Sequence, residues 1–418
     1  LKILLISYYW PPAGGSGVQR WMYFAKYLKE FGCDITVITV DPKFASYSSL
    51  DDSLLEQVKD IEVHKTKTFE LIRLYSFLKS GNAKKSIPQG NVGGKKKSFL
   101  DKFSSYVRAN YFIPDARVGW NPYVISKANE LFKKKKFDTV ITTGPPHSTH
   151  LVGLKLKEKY QFKWITDFRD PWTEVYYNDI FKRTKKNQQK DEKLELKVLK
   201  NADLVLTIGP SMKNLLAKKV DSSKIHYIFN GFDENLLKNA ERKKISNFVI
   251  SYVGTLASNY PYKSFLDAVK KLEINNLELH FTGKIDSVII DEFQVIESIK
   301  FVYHGVKTHQ EAFNSMLNAD VNVLLLPYQK DSQIMITGKV FEYLATGNPI
   351  LCIGSKESDA VKIINAESKI SACFEKEEIN SISQFLLKKS HRENTETKVN
   401  EEFTRKKLAK DLLKLLSE

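Results

Sequence analysis

Two short stretches of this chain carry residue types suited to holding an anion. In Thr337-Gly338-Lys339-Val340-Phe341-Glu342, a glycine and a lysine stand where an apolar-periodic helix begins, and a carboxylate follows one turn later. Free backbone N–H groups at a helix start bind phosphate, and a lysine adds positive charge. A carboxylate one turn further on can accept hydrogen bonds from two ribose hydroxyls. The spacing therefore predicts a nucleoside-diphosphate site at Thr337, Gly338, Lys339 and Glu342. The plainer alternative makes Lys339 and Glu342 exposed helix residues with local contacts. The second stretch, Gly14-Gly15-Ser16-Gly17, also opens a helix, and its glycines allow close backbone approach to an anion. It is not a clean G-x-G-x-x-G, and no acidic residue closes the next strand, so it does not read as a dinucleotide fingerprint. A tight turn alone is the alternative there.

Candidate proton-transfer groups lie just after strands. His147, in Gly144-Pro145-Pro146-His147-Ser148, follows one strand, and Arg169-Asp170 follows the next. Asp170 is placed to orient a hydroxyl or take its proton. Its alternative is a helix cap or a salt bridge to Arg169. His150, one turn past His147, reads as packing, and Asp115, Arg117 and Trp120 are candidates for the acceptor side. The chain has no D-x-D triplet and no clustered His/Cys set, so neither a metal nor another cofactor is implied. Its 3 cysteines, Cys33, Cys352 and Cys373, are odd in number and widely spaced, which fits a reducing cytoplasm.

The elements that position these residues alternate. Leu1–Tyr8 reads as a buried strand, Val18–Phe31 as a helix and Asp34–Val40 as a strand, which makes a βαβ unit. Strands at 137–143, 163–168, 203–208 and 225–229 continue the pattern, with helices between them. A second series begins at 248–253 and runs through strands at 277–281, 299–303, 321–326 and 349–353. The fold class is therefore α/β, with two Rossmann-like doubly wound domains facing a central cleft at the C-terminal ends of their strands. The expected division is 1–235 for an acceptor-side domain, 236–395 for a donor domain, and 396–418 for a C-terminal helix packing back on the first domain.

The 418 residues suit two domains, and a 42% hydrophobic content gives each a core. No apolar run reaches the roughly 18–20 residues of a membrane-spanning helix. The opening segment is too short for a signal peptide. The net charge of +16 suggests anionic partners. Residues 71–107 break the alternation as a basic insertion with interleaved aromatics, including Lys95-Lys96-Lys97. It is either a solvated surface loop or a patch for an anionic membrane or a lipid-linked acceptor. No nucleic-acid-binding motif is present, so nucleic acid is not an expected partner.

Together, Tyr9–Gly15 (YWPPAGG), Asp167–Thr173 (DFRDPWT), Asn230–Asp233 (NGFD), Val253-Gly254 and Gly338–Pro349 (GKVFEYLATGNP) resemble glycosyltransferase family 4, of GT-B architecture. The resemblance covers nearly the whole chain. It implies a retaining, metal-independent transferase that takes a nucleotide-sugar, with UDP the commonest nucleotide, and passes the sugar to a glycan, lipid-linked or polysaccharide acceptor. It further implies that Gly254 approaches the diphosphate, Lys263 contacts phosphate, Val306 meets the base, and Gly14 and Gly15 lie near the sugar and phosphate. The cytoplasm, with a peripheral position at the inner face of the membrane, is the implied location. Two positions depart from the family. Ile334 stands where the first of two glutamates eight positions apart is usual, and Thr255 stands where an arginine is common. Ile334 keeps open a nucleotide-binding scaffold with impaired catalysis; a GT-B nucleotide-sugar epimerase or hydrolase is a second alternative, which the loss of that glutamate weakens.

Overall fold

The computed structural model describes residues 1–47, 49–70, 106, 109–174, 183–243, 246–391 and 399–418. They form two compact units, Leu1–Phe229 with Leu408–Glu418, and Asn230–Lys407.

The first unit has strands β1 (Lys2–Ile6), β2 (Asp34–Val40), β3 (Glu62–Thr66), β4 (Thr139–Gly144), β5 (Lys163–Phe168), β6 (Leu204–Thr207) and β7 (Ile225–Tyr227). They make one parallel 7-stranded sheet in the order β3-β2-β1-β4-β5-β6-β7. Its helices include α1 (Ser16–Glu30), α2 (Asn121–Lys134), α3 (Ser148–Lys157), α4 (Lys185–Asn201) and α5 (Pro210–Ala217). Central strands buried on both faces read as apolar runs, as β1 (KILLI) does beyond its exposed Lys2. Ile3 and Leu5 pack against Trp21, Phe24 and Leu28 of α1. Leu4 and Ile6 point the opposite way, onto Val124 and Leu131 of α2 and Val152 of α3. The edge strand β3 reads EVHKT and buries only Thr66, so it has no apolar signature, and the sequence pattern does not reveal it.

The second unit has α6 (Glu234–Lys238), β8 (Phe248–Val253), α7 (Tyr262–Val269), β9 (Leu277–Thr282), α8 (Ser287–Gln294), β10 (Lys300–Gly305), α9 (His309–Leu317), β11 (Val321–Leu325), α10 (Gly338–Thr346), β12 (Ile350–Ile353), α11 (Asp359–Glu367), β13 (Ala372–Phe374) and α12 (Ile379–Ser390). Its parallel 6-stranded sheet runs β10-β9-β8-β11-β12-β13. Phe248, Ile250 and Tyr252 of β8 share a core with Phe265 of α7 and Ile382 and Leu386 of α12.

The last helix, α13 (Arg405–Ser417), starts in the second unit and places Leu408, Ala409, Leu412 and Leu416 in the α1 core of the first. The sequence division gives 396–418 to the last helix, but α13 begins at Arg405. Glu401–Phe403 forms a separate 3-10 turn, and the Thr404 hydroxyl accepts from the Lys407 amide at 3.3 Å in the manner of an N-cap. In each sheet the strand order reverses once, between β1 and β4 and between β8 and β11. Loops beyond the carboxyl ends of strands at such a reversal are where open α/β sheets bind ligands.

Candidate nucleotide-sugar site

In the second unit the reversal brings together Gly254, after β8, and α10, the helix that follows β11. Gly254 has φ 127°, and its amide donates to the Thr282 carbonyl at 2.8 Å. A Cβ on Gly254 would lie 2.9 Å from Lys339 Nζ and 3.2 Å from its Cδ. Gly283, at φ 122°, could not carry a Cβ either, because it would come within 2.2 Å of the Gly254 carbonyl oxygen. The two glycines let the β9 turn and the Lys339 side chain pass close to the end of β8.

Lys339 lies over the Tyr252 ring, with Nζ 4.7 Å from its centre and 3.3 Å from its hydroxyl. Burial lowers its ammonium to a pKa of about 8, while Glu342 opposes that shift. Thr337 precedes α10 in extended conformation and makes no side-chain cap. Its hydroxyl is buried with no partner among the described residues. A Cβ on Gly338 would meet open space. The first turn of a helix has amides without α-helical partners, which suits an anion; of these the Val340 amide donates to Thr337 O at 3.1 Å.

Glu342 is only 7% exposed, and its Oε1 lies 2.8 Å from His309 Nε2. Burial pushes its carboxyl up. The His309 hydrogen bond, with the charges of His309, Arg405 and Lys339, outweighs burial and holds it below the usual range. A carboxylate only accepts, so His309 Nε2 is the donor. Sequence reasoning missed His309. The capping box of Thr308 and Glu311 marks the start of α9, but nothing local ties residue 309 to residue 342. Lys263 sits exposed in the first turn of α7, and Val306, after Gly305, is 77% exposed. Ile334 is half-buried in a turn, its amide donating to Asp331 O at 3.0 Å, and its side chain has no polar atom to offer a sugar. Thr255 contributes its carbonyl to the Tyr252 hydroxyl at 2.7 Å.

In the first unit, the Gly14 amide donates to Ser49 O at 3.0 Å, and a Cβ on Gly14 would lie 2.9 Å from Ser49 Oγ. Gly15 precedes α1 at φ 97° with open space where a side chain would be. Arg169 holds this loop to its neighbours. Its Nε donates to Gly144 O at 3.2 Å, its Nη2 to Pro145 O at 2.6 Å, and its Nη1 to Gly17 O. Burial lowers the guanidinium pKa, opposed by Asp167 and Asp170. Asp170 itself is exposed.

His147 lies beneath the segment that follows Asp170. Its Nε2 donates to Pro171 O at 3.2 Å, and its ring stacks on Trp172 with centroids 5.2 Å apart. Its Nδ1 is buried without a hydrogen-bond partner among the described residues. His150 stacks on Phe168 at 4.6 Å, and its Nδ1 lies 2.9 Å from the Thr142 hydroxyl. Burial pushes His147 well below the ordinary histidine range, and His150 down to about 3. Both rings are neutral. Trp172 Nε1 donates to Asp191 at 2.8 Å and Thr173 Oγ1 to Glu195 at 2.5 Å, which anchors the chain after Asp170 to α4.

The other acceptor-side candidates serve the interior of this unit. Asp115 accepts from the Ser148 amide and hydroxyl, both at 2.8 Å, at the start of α3. Arg117 pairs with Glu70 at 2.7 Å, and the fully buried Trp120 donates to Thr66 at 2.8 Å. The basic stretch 71–107, with Lys95, Lys96 and Lys97, lies outside the described residues except for Tyr106. Among the described residues, no helix is long and apolar enough to cross a membrane.

Residues 94–236 match the family described as Glycosyltransferase Family 4. Solved structures match over both units. A sucrose-phosphate synthase from Thermosynechococcus elongatus aligns at TM-score 0.61 and 13% identity, covering 100% of this chain and 98% of its own. Anabaena Alr3699/HepE in complex with UDP aligns at TM-score 0.59 and 13% identity, covering 100% of both chains. A UDP-N-acetylglucosamine 2-epimerase aligns at TM-score 0.50 and 13% identity, covering 99% of this chain and 94% of its own. At such identities the likeness is one of fold, and the fold is GT-B: two parallel sheets of 7 and 6 strands with flanking helices. No characterised protein sequence matches the chain.

Proposed function

We propose that this protein, whose residues 94–236 match Glycosyltransferase Family 4, is a glycosyltransferase that moves a sugar from a nucleotide-sugar to a glycan, lipid-linked or polysaccharide acceptor, with retention at the anomeric carbon. One observation carries the reading. The buried Glu342 carboxylate stands one turn into a helix that opens on Gly338, where a side chain would meet open space, and that carries Lys339 in its first turn. In this reading the α10 start and Lys339 take the diphosphate, and Glu342 takes the ribose. UDP is the favoured nucleotide, supported by the GT-B neighbour solved with UDP.

Donors fixed in place stabilise the charge that develops as the bond from the anomeric carbon to the diphosphate breaks. The acceptor hydroxyl attacks from the face that the diphosphate leaves, and its proton passes to a departing phosphate oxygen. The products are a glycoside of retained configuration and a nucleoside diphosphate. In the proposed scheme, helix dipole and lysine supply the positive charge, and neither a metal nor another cofactor takes part. Asp170 orients the acceptor, Arg169 fixes the loops around it, and His147 supports that segment from below. The basic stretch 71–107 makes the contact with an anionic membrane surface at which the acceptor is presented.

The test is a panel of labelled nucleotide-sugars incubated with the protein, with and without a membrane extract. Label transferred to the extract, and lost in Glu342→Ala, is the expected result. Conversion without acceptor would replace the reading by epimerisation or hydrolysis. Binding without any turnover would favour the scaffold reading, which Ile334 supports.

A further inference from the structure

Glu342 enters the nucleoside site already engaged. Its Oε1 accepts from His309 Nε2 at 2.8 Å, a distance typical of a charge-assisted bond. His309 is the first residue of α9, and α9 is fixed by a two-way cap between Thr308 and Glu311. The donor therefore comes from a pre-set helix end rather than from a mobile loop. Its side chain is 25% exposed, so it borders the site rather than being sealed beneath it. The buried Arg405 also adds positive charge near Glu342. Lys339 contributes further charge from the same helix.

From this geometry we infer that His309 is a positioning residue for ribose recognition: it occupies Oε1 of Glu342 and leaves Oε2 turned to the sugar hydroxyls of the nucleotide. A carboxylate on a flexible side chain loses rotamer freedom when it binds a ligand, and a fixed partner removes that cost beforehand. The inference rests on the assignment of Glu342 to the ribose. It goes beyond it by making discrimination between ribose and deoxyribose depend on a residue of a different helix. No residue of the Gly338–Glu342 segment performs this task.

The experiment compares binding of UDP and 2′-deoxy-UDP by calorimetry in four proteins: wild type, His309→Leu, His309→Gln and Glu342→Ala. Wild type should prefer UDP. His309→Leu should weaken UDP binding about tenfold, the equivalent of one charge-assisted hydrogen bond. It should weaken binding of 2′-deoxy-UDP, which keeps only the 3′-hydroxyl, clearly less, so the preference shrinks. His309→Gln carries an N–H near the Nε2 position and should restore most of the preference. The ratio of the two affinities is read on folded protein only, so partial unfolding of a variant does not mimic the effect. If Glu342→Ala abolishes the preference and His309→Leu keeps it, the role of His309 is overturned while the ribose assignment stands. If Glu342→Ala keeps the preference, the ribose assignment fails and the role of His309 falls with it.

Discussion

Arg20 of α1 and Asp167 of β5 form an ion pair at 3.0 Å with both side chains essentially out of solvent. Neither charge is left with a single partner. Asp167 also accepts from Trp21 Nε1 at 2.6 Å and Thr143 Oγ1 at 2.8 Å, and Arg20 also donates to Ile228 O at 2.8 Å. Removing one partner of such a pair strands a buried charge, which costs about 3–5 kcal/mol. Arg20→Ala and Asp167→Ala should each lower the stability of the first unit by that order, read by urea unfolding. The double variant should cost less than the two added together. Additive losses would show that the two residues act separately.

If Lys339 holds the diphosphate as proposed, nucleotide binding has a pH limit. With its ammonium held at about 8, it is charged at neutral pH and loses the charge as pH rises. Affinity for UDP should therefore fall between about pH 7 and about pH 9.5, where an ordinary lysine would remain charged. Lys339→Met should bind about tenfold more weakly at neutral pH and show a flat profile over that range. Calorimetric titrations at several pH values measure both. A wild-type profile as flat as that of the variant would remove Lys339 from the phosphate contacts.

Gly254→Ala places a methyl 2.9 Å from Lys339 Nζ at a backbone conformation, φ 127°, that side chains rarely adopt. The expected cost is about 1–3 kcal/mol of stability in the second unit, together with weaker nucleotide binding because the lysine is displaced. Gly338→Ala is the matched control, since its methyl meets open space in the protein alone. It should leave stability nearly unchanged and reduce binding only if a ligand fills that space. Thermal melts with and without UDP separate the two effects.

Acid should weaken the first unit through its buried histidines. His150 is held at about 3 by burial, far below the ordinary value near 6.5, so the unfolded chain takes up this proton first. The stability tied to its neutral form is complete above about pH 6.5 and is lost as pH falls towards 3. By about pH 4 the loss is on the order of 3 kcal/mol. His147, also depressed by burial, adds in the same direction. His150→Gln cannot charge in this range, so its melting temperature should fall less steeply from pH 6.5 to pH 4 (about 3 kcal/mol less at the acid end). An acid limb parallel to that of wild type would place the sensitivity elsewhere.

Much of the fold was legible because its central strands are buried on both faces and read as short, largely apolar or β-branched runs between turn signals. The run Phe248–Val253 has the same limits in the pattern and in the structure. The edge strand Glu62–Thr66 escaped because an edge need not be apolar. The site divides in the same way. Gly338, Lys339 and Glu342 announce themselves because one helix turn makes neighbours of residues close in sequence. His309 is 33 positions from its partner, and Arg20 is 147 positions from Asp167, so only the packing of separate elements brings them together. His147 drew notice from its place after a Gly-Pro-Pro turn. Its stacking on Trp172 depends on how the next loop is anchored to α4, which no spacing records.

The first unit is built from two separate segments, Leu1–Phe229 and Leu408–Glu418. Leu408, Ala409, Leu412 and Leu416 fill one side of the core that begins with Ile3 and Trp21. During synthesis that core stays open until the whole of the second unit has emerged, so the unit begun first is completed last. The apolar face of α1 that these four residues cover has no partner from that segment until then, so docking of the last helix closes the core.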